Sequence, residues 1–118
     1  MSEGKHFDPD MGVIVIVAYR PKPGKAALLL ELTKQHVPIL RAEGLATGRP
    51  VQAMRAVDGT IIEVFEWQSP AAIDTAHTNP AVLKLWERYN EACEYIPLNQ
   101  VKETGDMFAG FALVDLKL

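Results

Sequence analysis

Residues Ile61 to Ile96 read I-I-E-V-F-E-W-Q-S-P-A-A-I-D-T-A-H-T-N-P-A-V-L-K-L-W-E-R-Y-N-E-A-C-E-Y-I. This stretch predicts a strand ending on Trp67, a short helix from Pro70 to about His77, and a longer helix from Pro80 to Tyr95. Ser69-Pro70 and Asn79-Pro80 are both start signals: a capping side chain, then proline at the first helical position. On the longer helix Val82, Leu85, Trp86, Tyr89 and Cys93 share one face, while Lys84, Glu87, Arg88, Glu91 and Glu94 point away. Pro97 stops that helix, and Leu98 to Lys102 is the expected last strand.

Working back from Ile61, Asp58-Gly59 favours a tight two-residue turn between Val51–Val57 and Thr60–Trp67. In that register Met54 faces Glu63, Gln52 faces Phe65 and Arg55 faces Ile62. One sheet face then holds Met54, Ala56, Ile61, Glu63, Phe65 and Trp67; the other holds Val51, Ala53, Val57, Ile62 and Val64. Both faces are largely apolar. Further upstream, Val13 to Tyr19 has the unbroken β-branched pattern of a strand buried on both sides, and Pro21-Lys22-Pro23-Gly24 ends it. Lys25 to Glu43 turns helical, with Ala26, Leu29, Leu30, Thr33, Val37 and Leu40 at helical spacing and Gly44 as C-terminal cap. Pro38 inside this run predicts a kink, or a split near Lys34. Residues 1–12 lack periodicity and read as a mobile arm. From about residue 103 an extension carries Met107, Phe108, Phe111, Leu113 and Val114, apolar enough to dock.

The order β-α-β-β-α-β is the split βαβ, ferredoxin-like plan: an α+β domain with a four-stranded antiparallel sheet and both helices on one face. The bare opposite face predicts a homodimer formed through sheet faces. The 118 residues suffice for one domain with its own core (residues 13–118), and 48% hydrophobic residues suit a soluble globular chain. A net charge of −3 offers no basic field for nucleic acid or an anionic membrane. The lone Cys93 forms no internal disulfide and reads as a small buried hydrophobe. The apolar run at Met11–Tyr19 follows acidic residues and is too short to cross a bilayer, so a cytoplasmic location is expected.

Val13–Tyr19, the Pro-Gly start of the first helix, Glu66-Trp67, Ser69-Pro70 and His77-x-Asn79-Pro80 together resemble the antibiotic-biosynthesis-monooxygenase-like (ABM) domain of the dimeric α+β barrel superfamily. The resemblance spans roughly residues 12–102. It implies a homodimer with a pocket between sheet and helices. Activities in that superfamily range from cofactor-independent monooxygenases to haem degradation, and fold alone does not choose among them. The three residues the haem-degrading branch uses fall here on Ala18 or Tyr19, on Ala76 and on Trp86, so haem is not expected.

Among chemical groups, His77 is the foremost sequence candidate for a base, since an imidazole can take a proton from a phenol or carbon acid at neutral pH. It also suits a helix-end hydrogen bond. Glu63, mid-strand among apolar residues, suits an acid/base role if buried, or an ion pair. Tyr19, Phe65, Trp67, Trp86 and Tyr89 suit the walls of a site for a flat ligand, or plain core. His6 and His36 have no partner at metal-ligand spacing, and neither metal nor cofactor is expected. Two functional readings follow. One is a cofactor-independent monooxygenase acting on a small apolar or aromatic molecule; the other is a non-catalytic small-ligand-binding or structural dimer domain.

Overall fold

A computed structural model describes residues 6–117. Of the expected N-terminal arm, residues 1–5 lie outside the described part; within residues 6–12 a turn forms at Pro9-Asp10, with Met11 N–H donating to Asp8 C=O at 3.1 Å. The elements are β1 (Val13–Pro21), α1 (Ala26–Ala42), β2 (Gln52–Arg55), β3 (Ile61–Trp67), α2 (Pro70–Ala76), α3 (Pro80–Ala92), β4 (Cys93–Ile96) and β5 (Ala112–Leu113). The strands form one antiparallel sheet in the order β4-β1-β3-β2-β5. The first four follow the split βαβ order. The sheet nevertheless has five strands where four were expected, because the C-terminal extension returns along β2 and covers its edge.

The two proline-initiated helices start as their sequences dictate: Ser69 Oγ accepts from Ala72 N–H and Asn79 Oδ1 from Val82 N–H, both at 3.2 Å. Helix α1 ends in a Schellman motif. Gly44 takes φ +74°, its N–H donates to Arg41 C=O, and Leu45 N–H donates to Leu40 C=O at 2.8 Å. Pro38 does not split this helix, which runs unbroken to Ala42. The proline removes one backbone donor, and that loss is tolerated on a helix whose Leu29, Leu32, Val37 and Leu40 are buried against the sheet.

Three further sequence expectations need correction. First, the hairpin loop has three residues. Ala56 pairs with Thr60, and Gly59 at φ +94° closes a turn whose Asp58 Oδ1 accepts from Thr60 N–H at 2.9 Å. The register therefore slips by one: Met54 faces Ile62, Gln52 faces Val64 and Ala53 faces Glu63. Val51 packs against the helix-side core and Ala53 is buried beside Glu63, while Val57, at 98% exposure, sits on the turn. None of the three lies on the outer face assigned to it. Second, α3 stops at Ala92; Cys93 begins the last core strand, which precedes Pro97 instead of following it. Residues Leu98–Gln100 and Lys102–Gly105 are 3-10 turns. Third, β1 is not buried on both sides, since Ile14 and Ile16 on its outer face stay exposed.

The helix face of the sheet carries Val13, Val15, Val17 and Tyr19 of β1 opposite Trp67, Phe65, Glu63 and Ile61 of β3. Leu29, Leu32, Leu85, Tyr89 and Ala92 pack on one part of this layer, and Val37, Leu40, Ala72, Ala76 and Val82 on another. The outer face is half covered by the chain itself. Val101 and Phe111 pack on Ala18, Ala56, Ile62 and Ile96, leaving Ile14 at 56% and Ile16 at 51% exposure.

Candidate functional site

Strand alternation puts Val15, Val17 and Tyr19 on the face that β3 lines with Phe65 and Trp67. Helix α3 contributes Trp86 and Asn90, β4 contributes Tyr95, and α1 contributes His36. Between them lies a cavity of about 410 Å³, open on one side and walled chiefly by aromatic and aliphatic carbon. That size suits a small organic molecule.

The polar groups at its base converge on one buried carboxylate. Glu63 is 0% exposed, and its Oε1 accepts from the Tyr19 hydroxyl at 2.7 Å and lies 2.8 Å from His36 Nδ1. A carboxylate only accepts, so His36 Nδ1 carries the proton and donates it. In the neutral imidazole this places the lone pair on Nε2. His36 lines the cavity, and its Nε2 has no protein hydrogen-bond partner among the described residues. A carboxylate holding an imidazole by Nδ1 is an arrangement that can orient Nε2 as a general base.

Aromatic rings hold the cluster in place. The His36 ring stands edge-on to Phe65 at 5.2 Å and to Tyr89 at 5.5 Å, and Tyr89 packs on Tyr19 at 5.0 Å. Burial, then the Glu63 charge, raises the Tyr19 phenol well above its ordinary range, so it stays protonated as a donor. Tyr89 is raised as well, chiefly by burial, and its hydroxyl lies 3.4 Å from Thr33 Oγ1. Burial pushes the Cys93 thiol up to about 11, which suits an inert packed sulfur with its S–H turned to Tyr89 C=O.

Of the residues singled out in the sequence, Tyr19, Phe65, Trp67 and Trp86 line the cavity. Glu63 sits beneath it, and Tyr89 buttresses it from the core. His77 stands elsewhere. It is exposed at the end of α2, its Nδ1 donates to Ile73 C=O at 2.7 Å, and its ring stands edge-on to Trp86 at 5.2 Å between centroids. The histidine that does reach the cavity is His36. Its signal lay in the helical period: it is three residues beyond Thr33 and four before Leu40, on the apolar stripe, and an imidazole there needs a buried partner. Asn90 and Tyr95 also line the cavity; the helical period assigns Tyr95 to the preceding helix, whereas it belongs to β4.

With this geometry in hand, comparison with known proteins gives one informative likeness. The chain resembles the solved structure of Rv0793 from Mycobacterium tuberculosis. The TM-score is 0.55 at 24% identity, over 72% of this chain and 88% of that one. The likeness concerns the small α+β fold. No family model matches the sequence, and no curated protein does either.

Among the described residues no group of three or more His, Cys, Asp or Glu side chains is placed to hold a metal ion, and no helix is long and apolar enough to cross a membrane.

Proposed function

We propose that the protein binds a small, flat aromatic molecule bearing an acidic O–H or C–H, and removes that proton with His36. The observation that carries this reading is the buried Glu63 carboxylate joining the Tyr19 hydroxyl to the His36 imidazole beneath an aromatic-walled cavity. Glu63 orients His36 and stabilises the imidazolium that forms. Trp67, Phe65 and Trp86 hold the ligand plane, and exclusion of water strengthens both effects.

In the enzymatic form of this reading the protein is a cofactor-independent monooxygenase of the ABM type. His36 takes one proton from an activated methylene group, and the carbanion delivers its electrons to dioxygen, forming a carbon–oxygen bond. The hydroperoxide then loses water as the second methylene proton leaves. The methylene compound and dioxygen thus give a ketone and one molecule of water. The protein supplies orientation and proton transfer. Oxygen uptake with an anthrone-type substrate, abolished in His36→Asn, supports catalysis; saturable binding without uptake assigns the non-catalytic reading. Small molecules released from the purified protein and identified by mass spectrometry should be aromatic, and absent from a Val17→Trp variant whose cavity is filled.

The same reading includes a homodimer of the α+β barrel kind, built through the outer sheet face. Ile14 and Ile16 are more than half exposed there, beside the half-buried Val64, and a second copy of the same face is self-complementary. The interface should bury more than about 1,200 Å² in total. Sedimentation at micromolar concentration should give twice the 13.0 kDa chain mass, and a monomer alone would refute it.

A further inference from the structure

Glu63 uses only one of its two oxygens in the cluster. Oε1 receives both Tyr19 and His36, whereas Oε2 is buried and has no hydrogen-bond partner among the described residues. A carboxylate oxygen sealed without a partner is costly and calls for one. Glu63 also lines a second cavity, of about 280 Å³, on the other side of α1 from the first. The first cavity lies over β1 and β3. The second lies between α1 and the segment leading into β2, with Leu116 of the C-terminal arm at its edge. Its walls include Thr33, Lys34, Arg41, Gly48 and Val51. The charged and titratable groups around Glu63 are thus Tyr19, His36, Tyr89 and Tyr95 on the side of the first cavity and Lys34 and Arg41 toward the second. Arg41 is tied to the carbonyls of Thr47 and Arg49, both at 2.8 Å, and Lys34 lies 3.5 Å from Glu31.

We infer that the second cavity holds water hydrogen-bonded to Glu63 Oε2 and is the path by which a proton taken up at His36 reaches solvent, away from the mouth through which the ligand enters. A water's share of the liquid is roughly 30 Å³, so the space admits several in file. The transfer balances without a further reactant. The Nδ1 proton of the imidazolium passes to Glu63 Oε1 as the N–H bond breaks and an O–H bond forms. Water at Oε2 receives a proton from the carboxyl group after a carboxyl rotation. This restores the carboxylate and leaves a neutral imidazole with its proton on Nε2; the Nδ1–H form returns when Nε2 gives that proton to the departing ligand and Nδ1 regains one by the same route. A bound ligand closes the first cavity to water, so an imidazolium at its floor passes a proton to solvent only by a second route. This inference rests on the proposed proton transfer at His36.

The test follows the His36 Nδ1 proton by NMR in nitrogen-15-labelled protein, as its exchange rate with solvent in the presence of saturating 1-naphthol. Exchange should persist in the naphthol complex and fall at least tenfold in Val51→Phe, with naphthol affinity unchanged within twofold. Should Val51→Phe fold poorly, Gly48→Leu enlarges another residue lining the same cavity, at a position where an added Cβ clashes with nothing within 4 Å. A crystal structure should place water within hydrogen-bond reach of Glu63 Oε2. Equal exchange rates in wild type and both variants overturn the path while leaving ligand binding intact. So does an anion held by Lys34 and Arg41 in place of the water. If naphthol does not bind but the water is present, the reading of the first cavity fails, and the path with it; a structural water is then all that remains.

Discussion

His36 and His77 show how much a single side chain's function depends on what faces it. Both are histidines on helices, and sequence spacing favoured His77 because it sits at a hinge. Its imidazole closes the end of α2 instead, by a hydrogen bond to Ile73 C=O. His77→Ala should therefore lower stability by about 0.5–1.5 kcal/mol and leave ligand affinity alone. A melting curve and a titration on the same variant check this; loss of affinity with unchanged melting would restore His77 to the site. Glu63 was legible as a polar intruder in an apolar strand; His36 read only as a histidine without a metal-ligand partner, and the meeting of the two was not legible. Residues 27 apart in sequence are joined only by the way α1 lies across β3, and no local pattern encodes that crossing.

At the scale of elements, the local signals that carried most were those with a backbone mechanism. Ser69-Pro70, Asn79-Pro80 and Gly44 behave as their chemistry requires. Gly44→Ala places a Cβ at φ +74°, in open space, so its cost is purely conformational and should be about 1–2 kcal/mol. Denaturant midpoints measure it, and a neutral effect would mean that the Schellman turn is not needed to end α1. Two failures were also instructive. Asp58-Gly59 is compatible with a two-residue or a three-residue loop, and the Thr60 N–H bond to Asp58 decides for the latter. Four residues of β4 continue the helical period of α3, with Cys93 four beyond Tyr89, and only pairing with β1 pulls them into a strand. Short strands owe their existence to neighbours.

For the whole molecule, the sheet divides the apolar residues into a layer under α1 and α3 and an outer face closed in part by the C-terminal extension. The overall α+β plan was legible because strand and helix periods alternate clearly; the fifth strand was not, since Ala112–Leu113 has no period of its own. Burying phenols so close to a carboxylate gives the fold a distinctive alkaline limit. Tyr19 and Tyr89 titrate above their ordinary 10.0 when folded, and Cys93 rises from 9.0 to about 11. Between the unfolded and folded values the unfolded chain has released protons that the native one keeps, so stability falls as pH rises. These groups cost nothing below about pH 8 and destabilise progressively from about pH 9 upward. Urea midpoints across that range should fall, with the phenolate absorbance of the two buried tyrosines appearing only on unfolding. Their titration near pH ~10 in a protein that keeps its native circular dichroism would contradict the packing described.

The central claim is that His36 Nε2, oriented by Glu63, meets an acidic proton in the aromatic cavity. Titrating 1-naphthol into wild-type protein and His36→Asn tests it most directly, because asparagine keeps a donor near Nδ1 and removes the basic nitrogen. Saturable binding to the wild type, at least tenfold weaker in the variant (about 1.4 kcal/mol), is the predicted result. Equal affinity in the two proteins, or no saturable binding to the wild type, contradicts it.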